Sequence, residues 1–377
     1  MSKYKFLASA ALATLLLAAC GDDAAKDTDS AVGKDLEAST ETKMIVDELD
    51  REVEIPGELD NVVMGAILPY FATWYIATNS TDEISGIHPN SYNAAAFSIL
   101  KDMSPSILEA KTNFVQNGEV NVEELLALDP DVYFEIANQE KTVQKLEETG
   151  ITTVALDTAT ESLSPLDTLN RWLTLTGEIT GTTDRPAAII AEGEKNQAEI
   201  NDKLATVKEE DKPRVMILQY HTEDEISTAG KGMHGYRWLN ATGGIDVATE
   251  AGIEGIKAIN MEQVYEMNPD IIYITNFTET QPEDLINNTI SGQDWSEVKA
   301  VQDGKVYKMP LGIYRWYPPS GDAPLMLKWM AQHNHPEVFD YDMNAEVKDY
   351  YQRFYNYELS DEQIEGIFNP SSEAAKY

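Results

Sequence analysis

The chain has 377 residues, with 65 Asp and Glu against 28 Lys and Arg, a formal charge of −37, 42% hydrophobic residues and a single cysteine. That surplus of acid excludes a protein built to hold nucleic acid or to adsorb on anionic lipid, both of which need a basic footprint. The lone cysteine excludes an internal disulfide framework, while length and apolar content suffice for a real core divided between two domains.

Residues 1–20 read MSKYKFLASAALATLLLAAC. Lys3 and Lys5 precede a short apolar run and then small residues, the layout of a secretory signal and too short for a membrane span. The run ends in Leu17-Ala18-Ala19-Cys20, which resembles the bacterial lipobox. That resemblance implies a signal peptide over 1–19 and lipidation of Cys20 as the new N-terminal residue. Residues 21–43 are small, polar and charged, so 20–43 reads as a lipidated cysteine followed by a flexible tether. No later stretch approaches the ~20 apolar residues a spanning helix needs.

From residue 44 the pattern predicts an N-terminal α/β lobe over 44–183. Val62–Ile67 reads as a buried strand, Pro69–Thr78 as a helix and Glu83–Ile87 as a strand. Residues 121–134, NVEELLALDPDVYF, then match residues 260–273, NMEQVYEMNPDIIY, 139 positions later. Each copy reads as a short helix stopped at Asp/Asn-Pro-Asp, entering a strand at Val132–Ile136 or Ile271–Thr275. After the first copy come a helix at Glu140–Thr149 and a strand at Thr152–Leu156. A lobe-length separation of two copies points to two related α/β lobes with parallel sheets, Rossmann-like in build.

Between the copies, residues 184–209 carry no strong breaker beyond Gly193. Asp184 can cap the start, and Pro186 suits a first turn. Ile189, Ile190, Ala198, Ile200, Leu204 and Val207 form an imperfect apolar stripe. The segment predicts one long connecting helix, leaving 210–377 as a C-terminal lobe with closing helices. That lobe should contain strands at Arg214–Gln219, Ile271–Thr275 and Lys305–Met309. Gly230-Lys231-Gly232-Met233-His234-Gly235 spells G-x-G-x-x-G, but the polar stretch 222–229 separates it from the preceding strand, so it reads as a cleft loop feeding a helix at Tyr236–Ala241. Tyr350, Tyr351, Phe354, Tyr355 and Tyr357 read as core packing of a closing helix.

In open α/β sheets ligands bind beyond the carboxyl ends of the strands. The rule selects Tyr70, then His88 and Tyr92, then Asn138 in the first lobe. In the second it selects Tyr220-His221, Asn276-Phe277 and the run Tyr314-Arg315-Trp316-Tyr317, and the cleft loop adds Met233 and His234. The last is the leading candidate, because aromatic rings offer flat apolar surface and arginine pairs bidentately with carboxylate or phenolate oxygens. Some of these aromatics are expected to seal the core.

Five segments in order resemble the periplasmic binding proteins for siderophores, haem and cobalamin, the class III or helical-backbone group. They are Asp50–Pro56 (DREVEIP), Asn121–Asp131 (NVEELLALDPD), Ala241–Ala248 (ATGGIDVA), Trp295–Tyr307 (WSEVKAVQDGKVY) and the tail of Lys328–Ala331 with His335–Phe339. The resemblance implies two lobes joined by one rigid helix and a solute held between them for delivery to an ABC permease dimer with its ATPase subunits. It also implies a protein that is no enzyme, works as a monomer and touches the membrane through its lipid alone. An iron–siderophore comes first among ligands, followed by haem, cobalamin and molybdate or tungstate, with no intrinsic cofactor. If a side chain meets the metal, Tyr317 is nearest the place where catecholate binders supply a tyrosine, and His234 with Met233 matches axial haem ligation. Family docking carboxylates map to Asp322 in Pro319-Ser320-Gly321-Asp322, where glutamate is common, and to Glu109, three residues past Ser106.

Rival classes leave weaker traces. No H-E-x-x-H, G-x-S-x-G or Walker A pattern supports an enzyme. A bare zinc or manganese binder would need converging ligands, and the five histidines, His88, His221, His234, His333 and His335, are scattered. An adhesive surface lipoprotein would explain tether and acidity but neither the repeat nor the aromatic loop.

Overall fold

The computed structural model describes residues 41–159 and 162–375. Cys20, the signal segment and nearly all of the tether lie outside the described residues. The described chain opens with an antiparallel hairpin of β1 (Thr42–Val46) and β2 (Glu52–Pro56), paired from Thr42↔Pro56 to Val46↔Glu52. Ile45, Val53 and Ile55 are buried while Glu52 and Glu54 are exposed, the alternation of a strand with one wet face.

The first lobe is built on β3 (Val62–Met64), β4 (Ile84–Ile87), β7 (Val132–Ile136) and β8 (Thr153–Leu156), a four-stranded parallel sheet in the order β4-β3-β7-β8. A two-residue hairpin of β5 (Val115–Gln116) and β6 (Glu119–Val120) stands apart from it. The second lobe holds β9 (Arg214–His221), β10 (Ile226–Ala229), β11 (Ile245–Asp246), β12 (Ile256–Ile259), β13 (Ile271–Ile274) and β14 (Val306–Lys308). Their order is β12-β10-β9-β13-β14, with β11 beside β9. β9, β13 and β14 run parallel. β3, β8 and β13 are buried at every position, the continuous apolar reading expected of strands covered on both faces.

β10 and β12 correct the sequence reading. The stretch 222–229 contains a strand, and β10 runs directly into Gly230. It is antiparallel to both β9 and β12, so the glycines follow a hairpin strand and still lack the parallel strand-to-helix turn of a dinucleotide site. The helix after them runs from His234 to Thr242, beginning earlier and ending one residue later than the predicted Tyr236–Ala241.

The repeat has a structural meaning. Asn121 caps the helix Val122–Leu126, its Oδ1 accepting from the backbone N–H of Glu123 and Glu124, and Asn260 caps Met261–Met267 in a capping box with Gln263. Past the proline, Asp131 accepts through Oδ2 from the N–H of Asn61 at 2.9 Å, and Asp270 from the N–H of Arg214 at 2.8 Å. Each aspartate thus ties the start of its own strand to the neighbouring strand's entry, β3 in one lobe and β9 in the other.

The connecting helix runs from Asp184 to Leu204, about 32 Å at 1.5 Å per residue and shorter than the predicted span to 209. Ile189, Gly193, Asn196 and Ile200 face inward. Asn196 Nδ2 donates to the carbonyl of Pro324 at 3.0 Å, and Arg353 pairs with Glu192 at 2.8 Å, tying the connector to the C-terminal helices. At the carboxyl ends of the sheets the lobes touch: Phe71 meets Tyr314 edge-to-face at 5.5 Å, and the N–H of Ile99 donates to the carbonyl of Gly312 at 3.3 Å.

Candidate functional site

The segment after β14 is a compact loop, and one carboxylate organises it. Asp322 is fully buried. Its Oδ2 accepts from the N–H of Ile313, Trp316 Nε1 and Tyr351 Oη, each at 3.0 Å, and its Oδ1 from Tyr355 Oη at 3.0 Å. Burial pushes this carboxyl up to about 6, against the pull of those donors. A side chain at Gly312 would put its Cβ 1.8 Å from Asp322 Oδ2, so only glycine fits there. Asp322 therefore cannot reach a permease, which corrects the docking role implied for it. Glu109, at the end of the turn Pro105–Glu109, is exposed.

That scaffold sorts the four residues of the predicted loop. Trp316 is a core residue, with its indole N–H on Asp322 and its ring against Phe368. Tyr314 packs on Phe71, and Tyr317 sits against Phe277 and His234 with its hydroxyl accepting from the N–H of Gly235 at 3.2 Å. Burial raises the phenol of Tyr317 well above its ordinary range, which disfavours a phenolate metal ligand. Arg315 is also fully buried, its guanidinium 5.0 Å over the ring of Phe277 and its Nη2 donating to the carbonyl of Ala374 at 3.0 Å.

Beside Phe277 a cleft of about 1000 Å³ opens, lined among others by Tyr220, His221, Thr278, Thr280, Ser372 and Ala375. Lys308 lies behind this wall, its Nζ donating to the carbonyls of Thr278 and Thr280 at 2.6 and 2.8 Å. Burial, reinforced by the positive charge of Arg315, lowers its ammonium to about 7. His221 spends both ring nitrogens, on Thr280 at 2.8 Å and Gln293 at 2.7 Å, and is a structural link rather than an open ligand. Asn276 donates to the carbonyl of Met309 at 2.9 Å. His234 is lowered to about 4 by burial and by nearby Arg237, so the imidazole is neutral at pH 7. Met233 sits just before it at the helix N-terminus, half-buried.

The first lobe contributes less. Tyr70 is wholly in the core, its hydroxyl bonded to Thr176 at 2.8 Å and its ring against Phe134 and Trp172, a correction to its predicted place in the cleft. His88 caps the helix Pro89–Phe97, accepting the N–H of Asn90 at Nδ1. Tyr92 donates to the carbonyl of Leu108 at 3.2 Å, and Asn138 is exposed. His88 lines a separate pocket of about 330 Å³ with Tyr133 and Glu135. There Tyr133 Oη donates to Glu135 at 2.8 Å, and burial raises the acid. Among the described residues no three His, Cys, Asp or Glu side chains gather to hold a metal ion.

Lys308 and the segment Ser372–Ala375 were missed. Lys308 had a usable signal, a lysine set in an otherwise apolar strand position. The closing segment had none.

The cleft's own charged lining residues are acids, Glu225, Glu279 and Asp284, and the cations Arg315 and Lys308 lie buried behind its wall. Two lobes on parallel strands joined by a connecting helix are the build of an ABC importer's substrate-binding protein. A family model described as periplasmic binding protein matches residues 80–311, and the chain belongs to that family. A periplasmic solute-binding protein from Veillonella parvula is 31% identical, covers 88% of this chain and 98% of its own, and superposes with a TM-score of 0.79. The molybdate-binding protein MolA of Haemophilus influenzae is 26% identical over 337 residues, 83% of this chain and 91% of its own. The MolA structure with bound molybdate, 25% identical and covering 84% and 99% of the two chains, has a TM-score of 0.69. The chain's family is that of periplasmic solute-binding components of transport systems. No helix among the described residues is long and apolar enough to cross a membrane.

Proposed function

We propose that this protein captures a compact metal oxyanion of the molybdate or tungstate kind and delivers it to its permease while anchored by lipid on Cys20. The observation that carries the reading is Arg315, a fully buried guanidinium stacked over Phe277, a ring that lines the cleft, with Lys308 buried behind the same wall. Fixed cations in a water-poor site favour an anion strongly. The rings of Tyr314, Trp316 and Tyr317 are occupied by core contacts, so the flat surface on which an iron chelate, haem or cobalamin would lie is missing from this loop. The ferric-chelate expectation therefore gives way to a small anion. Likeness to MolA supports the same solute class.

In this reading the body works as a monomer at the outer face of the membrane, tethered through residues 20–43, and exposed Glu109 is one of the carboxylates that meet the permease. Calorimetric titration with molybdate, tungstate, sulfate, haemin and a ferric tris-catecholate tests the solute. Saturable heat with molybdate and tungstate is expected, and heat with only haemin or the catecholate would overturn it.

A further inference from the structure

The last described residues do not trail away from the body. After the helix Asp361–Phe368, Pro370 is buried, and the turn Ser372–Ala375 packs on the helix Pro89–Phe97 of the first lobe. Ala374 and Ala375 are almost fully buried. Two contacts fix the turn from opposite sides: Asn93 Nδ2 of the first lobe donates to the carbonyl of Glu373 at 3.5 Å, and Arg315 Nη2 of the second donates to the carbonyl of Ala374 at 3.0 Å. Ser372 and Ala375 also line the cleft with Tyr220 and Phe277. A peptide oxygen is therefore bonded to the guanidinium assigned above to the solute, between the two lobes that hold it.

We propose that residues 370–375 are a self-capping strap, a built-in competitor that occupies Arg315 until an anion displaces it. The inference rests on the reading of Arg315 as the anion's partner. Its chemistry is an exchange of acceptors: the neutral carbonyl of Ala374 leaves and an anionic oxygen takes the same N–H. Charge-assisted bonds are about twice as strong as neutral ones, so the exchange favours the anion. The strap still weakens the apparent affinity by the fraction of molecules in which it is seated. Seating also shields a buried cation while the cleft is empty.

The test compares the intact chain with one carrying a protease site inserted after Asn369 and cut once the protein has folded. Molybdate and a ferric tris-catecholate are titrated into both. Cutting is expected to tighten anion binding about tenfold. Asn93→Ala, which loosens the strap without touching Arg315, should tighten it two- to threefold. Equal or weaker anion binding after cutting, with molybdate still bound by the intact chain, overturns the strap and leaves the solute reading standing. A preference for the catecholate in both forms, still tightened by cutting, overturns the oxyanion reading and keeps the strap. No binding of either probe to either form overturns both.

Discussion

The two lobes share a repeat and a core of parallel strands, yet the buried charges behind their mouths differ. In the second lobe the buried cations Arg315 and Lys308 stand behind the cleft wall, with Arg237 and a neutral His234 on the helix His234–Thr242, while Glu225, Glu279 and Asp284 line the cleft itself. In the first lobe the corresponding ends present a buried acid, Glu135, held by Tyr133 and by the N–H groups of Ala66 and Ile136, together with the capping imidazole of His88. A Cβ at Gly65 would lie 1.9 Å from the Tyr133 hydroxyl, so that acid pair needs glycine beside it. On the proposed reading the second lobe supplies the charge that recognises the anion and the first serves as a wall, although both carry the same αβ repeat unit.

The sharpest way to break the comparison is to remove the charge. Arg315→Ala is expected to weaken molybdate binding by about 2–5 kcal/mol, the cost of truncating one partner of a buried charge contact, measured by calorimetry on protein whose fold is checked by circular dichroism. Arg315→Lys should recover only part of it, since the planar fork is lost. Unchanged affinity in Arg315→Ala would move recognition away from the second lobe.

The next effect is on stability. In Asp322→Asn an amide N–H must face one of the four donors now aimed at the carboxylate, a loss of about 1–3 kcal/mol read as a lower midpoint in urea. The sign of its pH dependence follows from burial. The folded carboxyl is raised to about 6 from 3.8, so the folded state holds the extra proton between those values. This group's contribution to stability is then greatest below pH 4 and falls as pH rises through 6.

A smaller, pH-dependent effect belongs to Lys308. With its ammonium lowered to about 7, its charge is lost as pH rises from 6 to 8, and molybdate affinity is expected to fall severalfold across that window. Lys308→Met should flatten the profile. His234, already neutral, should add no inflection between pH 6 and 8. The smallest change is expected on the wall: Asn138→Ala should alter affinity less than twofold, and a tenfold loss there would erase the asymmetry between the lobes.

The architecture was legible because it is written in periodicity. The parallel strands are mostly apolar runs, and Asp-Pro-Asp in one copy and Asn-Pro-Asp in the other mark the repeat; β7 falls on the predicted Val132–Ile136. The hairpin strands β10 and β12 were not legible, since four-residue strands interrupted by Ser, Thr or Lys carry little apolar signal. Within the site, Arg315 could be found because it follows a strand. The fates of its neighbours could not, since Trp316 and Asp322 are buried by the loop doubling back through the Leu311–Arg315 bridge and by Tyr351 and Tyr355 from a helix thirty residues on. Tyr70 was misread for a related reason. The helix Tyr70–Thr78 is buried on nearly every face, so following a strand end did not make its first residue accessible.

The most direct test of the second lobe as the anion reader is a crystal soaked in tungstate and measured at the tungsten absorption edge. An anomalous peak within hydrogen-bonding distance of the Arg315 guanidinium, beside Phe277, is the predicted result. A peak in the His88–Glu135 pocket of the first lobe, or none in the cleft, would contradict it.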